Sequence, residues 1–196
     1  MPAEAVLAAL NALLKAIAPL KLPAALLGGL ALAIWKHPRF TRDVDVLVAL
    51  GDVDDRDLMA ALRKAGFQPK RGDGLIRLAD LTLLQLIYHA ADSLVDVQVD
   101  LLLATDRYQQ EALARKQPAR IAGFDEPVDV LTCEDMIIHK LIAGRLIDLA
   151  DVAALLRANH KALDYSYLLR WMRVKDLSGA FLQTWNEALP GRPAPE

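Results

Sequence analysis

Between Asp43 and Val48 the chain reads D-V-D-V-L-V, a pattern that fits one conformation. In a β-strand successive side chains alternate between faces. Asp43 and Asp45 then point one way, and Val44, Val46 and Val48 the other. The valine side needs an apolar cover. The acidic side needs a cation, because two like charges at i and i+2 repel unless one lies between them. Hard divalent ions prefer such oxygen ligands. This strand constrains the fold and the chemistry at once.

The 196-residue chain supplies a core for it. Its 54% hydrophobic content is enough for one sizeable core with a helical appendage. Charged residues make up 24% and the formal net charge is -2, so no strong global field argues for nucleic acid or an anionic membrane. The single cysteine, Cys133, excludes an intramolecular disulfide and fits a reducing, cytoplasmic setting. Glu4 and Lys15 lie within the apolar N-terminal stretch, which reads as an amphipathic helix rather than a signal peptide. No uncharged apolar run reaches the ~18 residues of a membrane span.

Residues 3 to 18 have helical periodicity, closed by Pro19 and Pro23. Ala24 to Leu27 predicts a strand that stops at Gly28-Gly29, and Leu30 to Lys36 a short helix. Asp43 to Leu50 is the acidic strand, and Asp52 can cap a helix to about Lys64. Strands are predicted at 67–70, 75–79, 83–88 and 95–103, then a helix from Asp106 to Lys116. Val128 to Leu131 reads as an edge strand. Thr132 caps a long helix over 133–158, with helices near 161–173 and 176–188 after it. The expected fold is α/β (α+β): a mixed sheet flanked by helices in 1–131, a C-terminal helical region in 132–190 and a disordered tail in 191–196.

The surroundings of the acidic pair sharpen its meaning. Gly28-Gly29 precedes it by a helix-length spacer, and Arg39 and Thr41 lie just before it. A Gly-Gly turn lets backbone amides approach a phosphate closely. Metal, phosphate cradle and aligned oxygen are the parts that phosphoryl transfer needs. Gly-Gly, a short helix and R-x-T-x-D-V-D-V-L-V resemble the signature of the nucleotidyltransferase superfamily of the DNA polymerase β type. More narrowly they resemble its abortive-infection (AbiEii-like) toxin branch and the nearby minimal nucleotidyltransferases.

The resemblance implies a nucleotidyltransferase fold and transfer of a nucleotidyl group from an NTP to a hydroxyl of RNA (including tRNA), a protein or a small molecule. It implies Mg²⁺ (or Mn²⁺) held by Asp43, Asp45 and a third acid, with Gly28, Gly29, Arg39 and Thr41 around the nucleotide. It also implies an antitoxin partner if the chain is a toxin. The competing reading is a nucleotidyltransferase-like module that has lost catalysis and works through protein contacts.

The third acid comes from V-D-V-Q-V-D-L-L-L. Alternation puts Asp96, Gln98 and Asp100 opposite Val95, Val97 and Val99, and V-D-L-L resembles the family's form of this strand, which favours Asp100 over Asp96. On the helix over 133–158, Ile138, Leu141, Ile142, Leu149, Val152 and Leu156 form the apolar face, with Arg145 in its middle. A guanidinium there needs a carboxylate or carbonyl partner, as a structural tie or a phosphate contact. Lys140, Gly144 and Asp148 form a neighbouring stripe with Asp151 close by, either salt-bridged or functional. By the resemblance Lys140 contacts NTP phosphates and Asp148 orients it or the acceptor. His37, His89, His139 and His160 show no metal-ligand spacing.

Overall fold

The structure, a computed structural model, describes residues 3–78, 81–89 and 95–195. Helix α1 (Ala3–Ile17) precedes β1 (Ala24–Leu27), α2 (Gly28–Ile34), β2 (Asp43–Val48) and α3 (Asp55–Lys64). Then come β3 (Phe67–Pro69), β4 (Leu75–Leu78), β5 (Leu81–Tyr88) and β6 (Val97–Leu103). The chain continues through α4 (Arg107–Ala114), β7 (Gln117–Ala119), β8 (Val128–Val130), α5 (Cys133–Ala143), α6 (Leu146–Asn159), α7 (Tyr165–Val174) and α8 (Ser178–Ala188). The eight strands form one mixed sheet in the order β3-β5-β6-β2-β1-β8-β7, with β4 also on β5. The α/β class is as expected.

The alternation in sequence becomes alternation in burial. Val44, Val46, Val48, Val97, Val99 and Leu101 are buried, whereas Asp43, Asp45, Gln98 and Asp100 keep partial access to solvent. Helix α1 packs against β2, β6 and α3, and Val6, Leu10 and Leu13 join the valines in one continuous core. That core also takes in Ile138, Leu156, Trp171 and Trp185 from the C-terminal helices.

Several boundaries differ from expectation. Asp54, not Asp52, caps α3, its side chain accepting from the Arg56 amide. The strand expected at 75–79 is present over Leu75–Leu78, and Ala79 lies outside the described residues. Strand β8 is not an edge, because β1 pairs on one side and β7 on the other. The edge is β7, hidden in sequence by Pro118, a residue that sheets admit at edges. The tail is held in part, with the Trp185 indole donating to the Arg192 carbonyl at 3.1 Å.

The main correction concerns the long helix over 133–158. It is two helices. Gly144 adopts φ 65° as the left-handed C-cap of α5, and Arg145 is the N-cap residue of α6. Gly144 therefore ends a helix instead of weakening the interior of one. Arg145 leaves the apolar face and stands at the elbow, its side chain 70% exposed. The start of α5 follows the predicted cap, with the Thr132 hydroxyl accepting from the Asp135 amide.

His139 lies buried in α5 with its ring 5.3 Å from that of Tyr108. Burial pushes its pKa down to about 4, with Asp106 opposing and Lys175 adding to the shift. A folded pKa below the unfolded value makes proton uptake favour unfolding. The contribution is intact above the unfolded pKa of about 6.5 and is lost as pH falls toward 4. His139→Phe is therefore expected to lessen the acid loss of stability by roughly 2 kcal/mol at pH 5. Urea midpoints of both proteins at pH 7.5 and pH 5 check this; an equal drop in both would contradict it.

Candidate active site

Strand β1 ends beside the acids, with Leu27 paired to Asp45. Gly28 turns there with φ 68°, and a Cβ on it would sit 1.8 Å from Asp45 Oδ2. A Cβ on Gly29 would sit 2.6 Å from Cβ and Oγ1 of Thr41. Both glycines are thus required by close approach, one to an acid and one to the threonine that serves an acid. Gly28→Ala is expected to cost at least about 2 kcal/mol, combining the left-handed penalty with displacement of Asp45. Chemical denaturation measures it, and an unchanged midpoint would contradict the packing.

Strands β2 and β6 run parallel, with Asp43 beside Gln98 and Asp45 beside Asp100. Residues paired in this way share a face, so Asp43, Asp45 and Asp100 line one side of the sheet. Asp96 does not join them. It precedes β6, is 60% exposed and pairs with His89 at 2.7 Å. Asp43 accepts a hydrogen bond from the Thr41 hydroxyl. Asp100 accepts from Gln98 at 3.0 and 2.9 Å and from Gln85 at 3.3 Å, and Lys70 donates to Gln98 from behind.

Asp45 has no hydrogen-bond donor among the described residues. Its carboxyl is pushed up to about 7, first by burial and then by the charges of Asp43 and Asp100, against the pull of Lys140 and Arg145. Burial and Asp43 also raise Asp100, while the two glutamines and Lys70 oppose them. Among the described residues no three His, Cys, Asp or Glu side chains are gathered in a ready metal cluster. Asp43 is turned to Thr41 and Asp100 to the glutamines. The donor set nevertheless suits a hard cation. It is all oxygen, and two of its three carboxyls are raised partly by neighbouring charge, which a cation would relieve.

The elbow between α5 and α6 brings a second set of charges against the first. Lys140 Nζ lies 2.8 Å from Asp148 Oδ1 and 2.8 Å from Asp151 Oδ2. The lysine side chain is 8% exposed, and those of Asp148 and Asp151 0% and 1%. The expected stripe on one helix is thus a contact made by folding one helix back on the next. Arg145 adds Nε to Asp148 Oδ2 at 2.6 Å and Nη2 to Oδ1 at 3.2 Å. Burial opposes ionisation of Asp148, yet the Arg145 and Lys140 hydrogen bonds and charges hold its carboxyl below the usual range.

Arg39 does not point into open space. Its Nε lies 3.2 Å from Asp151 Oδ1, the atom that also meets His37 Nε2 at 3.1 Å. Residues 36–42 are anchored beside α6 because Asn159 donates to the Trp35 carbonyl at 2.9 Å and the Trp35 indole to the Leu131 carbonyl at 2.9 Å. Sequence reasoning missed His37 as a partner of Asp151, as well as the carboxylate-holding roles of Gln85 and Gln98. The alternation of β6 places Gln98 on the acidic face, a usable signal; His37 and Asp151 are 114 residues apart and offer none. A cleft of about 510 Å³ lined by Asp106, Tyr108, Trp171 and Lys175 lies apart from the acids, and its Asp106–Lys175 pair is already neutralised.

The same architecture occurs in solved structures. The antibiotic-resistance factor ANT(2″)-Ia in solution is 17% identical, with 95% of this chain and 99% of that chain covered at a TM-score of 0.57. Its crystal structure in complex with adenylyl-2″-tobramycin is 18% identical, covers 90% and 96%, and has a TM-score of 0.54. An antigenic nucleotidyltransferase-like protein from Paracoccidioides brasiliensis is 17% identical, covers 90% and 92%, and has a TM-score of 0.51. At these identities the likeness is one of fold. No curated protein sequence matches the chain. The model of one family, described as "Uncharacterised nucleotidyltransferase", matches residues 2–185, and the chain belongs to that nucleotidyltransferase family.

Proposed function

We propose that this protein transfers a nucleotidyl group from an NTP to an acceptor hydroxyl, with Mg²⁺ (or Mn²⁺) held by Asp43, Asp45 and Asp100. The observation that carries the proposal is the pairing of Asp45 with Asp100 across β2 and β6, with Asp43 on the same face and Gly28 against Asp45. When bound, the metal would offset charge on the triphosphate and favour loss of the acceptor proton. Gly28 and Gly29 would let backbone amides approach a phosphate. Thr41 orients Asp43, and the two glutamines orient Asp100. Arg39 is held by Asp151, and Lys140 by Asp148 and Asp151, with Lys140 near enough for its charge to lower the Asp45 carboxyl.

The acceptor oxygen bonds to the α-phosphorus as the α–β bridging P–O bond breaks, and pyrophosphate leaves with the bonding pair. Asp100 takes the hydroxyl proton, a role favoured by a carboxyl held above its ordinary range. The acceptor is a hydroxyl of RNA such as tRNA, of a protein, or of a small molecule. Incubation with each α-labelled NTP and Mg²⁺, with total RNA, protein or small-molecule acceptors, tests this. Transfer of label that is abolished by a chelator is expected; absence of both transfer and NTP binding would refute it.

A second, finer reading is that the enzyme is the toxin of a pair with an antitoxin protein. It is favoured by Lys140 and Asp148, which the toxin-like branch places in the cleft and which meet at 2.8 Å. Arrested growth on expression, relieved by co-expression of the neighbouring gene, is the expected result. Unimpaired growth at high expression counts against it.

A further inference from the structure

The elbow presents two cations to the acidic face, and they are not equivalent. Lys140 is buried and already neutralised by two carboxylates. A phosphate that drew it away would take a partner from each of Asp148 and Asp151 in the interior, a costly outcome. Arg145 is the reverse case. Its side chain is 70% exposed, and among the described residues its two hydrogen bonds use only Nε and Nη2. A guanidinium has five N–H donors in a rigid fork, so Nη1 and the second hydrogen of Nη2 are left for a ligand.

Gly144 and the N-cap backbone of Arg145 fix the start of that side chain, and Asp148 fixes its far end. Asp148 is itself fixed by Lys140. Arg145 also lies close enough to Asp45 and Asp43 for their charges to favour its protonated form. A planar fork held at one edge and open at the other matches the oxygens of a phosphate.

We infer that Arg145 is the side chain that contacts the polyphosphate of the nucleoside triphosphate, and that Lys140 acts behind it, through Asp148, as a positioning residue. The inference rests on the nucleotidyl-transfer reading of the site. It reverses the simple expectation that the lysine touches phosphate, because burial and pairing remove the lysine from contention.

Calorimetric titration with ATP, GTP, CTP and UTP in the presence of Mg²⁺, and with the corresponding nucleosides, tests it without any turnover. For the triphosphate that wild type binds best, Arg145→Ala is expected to weaken binding 10- to 100-fold and to leave nucleoside binding unchanged, while the melting temperature falls because buried Asp148 loses a partner. Arg145→Lys keeps the charge and loses the fork, so it should fall between the two. Asp148→Asn is expected to give a smaller loss that is again confined to the triphosphate, which a merely structural role would not produce. Wild-type triphosphate affinity in Arg145→Ala, or an equal loss for triphosphate and nucleoside, would overturn the inference while leaving the enzyme reading intact. Wild type that binds none of the four triphosphates would overturn both.

Discussion

Asp45→Asn is expected to abolish nucleotidyl transfer and to stabilise the fold. The Asp45 carboxyl is pushed up to about 7 by burial and by its two acidic neighbours, and no donor among the described residues hydrogen-bonds it to favour its charge. A carboxyl whose folded pKa exceeds the unfolded value of 3.8 stabilises the fold only while protonated, relative to its charged form. The penalty is absent below about pH 4, grows through the interval up to pH 7, and is complete above it. The rise from 3.8 to about 7 sets an upper bound of roughly 4 kcal/mol. Because part of that rise comes from the neighbouring charges of Asp43 and Asp100, we expect on the order of 2 kcal/mol.

An amide removes that penalty at constant shape and keeps the close fit to Gly28. In a chelator at pH 8 the variant should therefore melt above wild type, and the gap should close as the pH is lowered to 4. Saturating Mg²⁺ should narrow the gap from the other side, by stabilising wild type alone. A variant no more stable than wild type at pH 8 would contradict the electrostatic account. Activity bought with stability is the usual condition of an acidic centre.

Lys140→Ala is expected to have the opposite sign and a larger size. Removing one ammonium strands two carboxylates that are 0% and 1% exposed. Loss of one partner of a buried ion pair costs about 3–5 kcal/mol, because the charge left behind is not rehydrated. Arg145 still serves Asp148, and His37 and Arg39 still serve Asp151, so the lower part of that range applies. Urea denaturation at pH 7.5 measures it. Adding Asp148→Asn and Asp151→Asn should recover part of the loss, since the stranded charges are then gone. A single variant within about 1 kcal/mol of wild type would contradict the buried network; that threshold is the size of an exposed pair.

The acidic face was legible from residues alone. Alternation in D-V-D-V-L-V and V-Q-V-D-L-L-L sets which side chains share a face, and the valines leave that face no freedom to flip. The Gly-Gly turn was legible as a close approach, although what it approaches, Asp45 and Thr41, required the pairing of β1 with β2. The elbow was half legible. Lys140, Gly144 and then Asp148 present a basic last turn, a C-cap glycine and an acidic first turn, but the unbroken apolar periodicity over 133–158 concealed the stop. The arrival of His37 and Arg39 at Asp151 was not legible, because no local rule links residues as far apart as the 114 between His37 and Asp151, and ties from Trp35 to Leu131 and Asn159 help to bring them together.

The measurement that tests the acidic centre most directly is Mn²⁺ binding followed by electron paramagnetic resonance, in which bound ion loses the sharp signal of the free one. In the presence of a non-hydrolysable NTP, wild type is predicted to remove more free Mn²⁺ than the nucleotide does by itself, and Asp43→Asn to remove no more than the nucleotide. Identical curves for the two folded proteins would contradict a metal site at Asp43, Asp45 and Asp100.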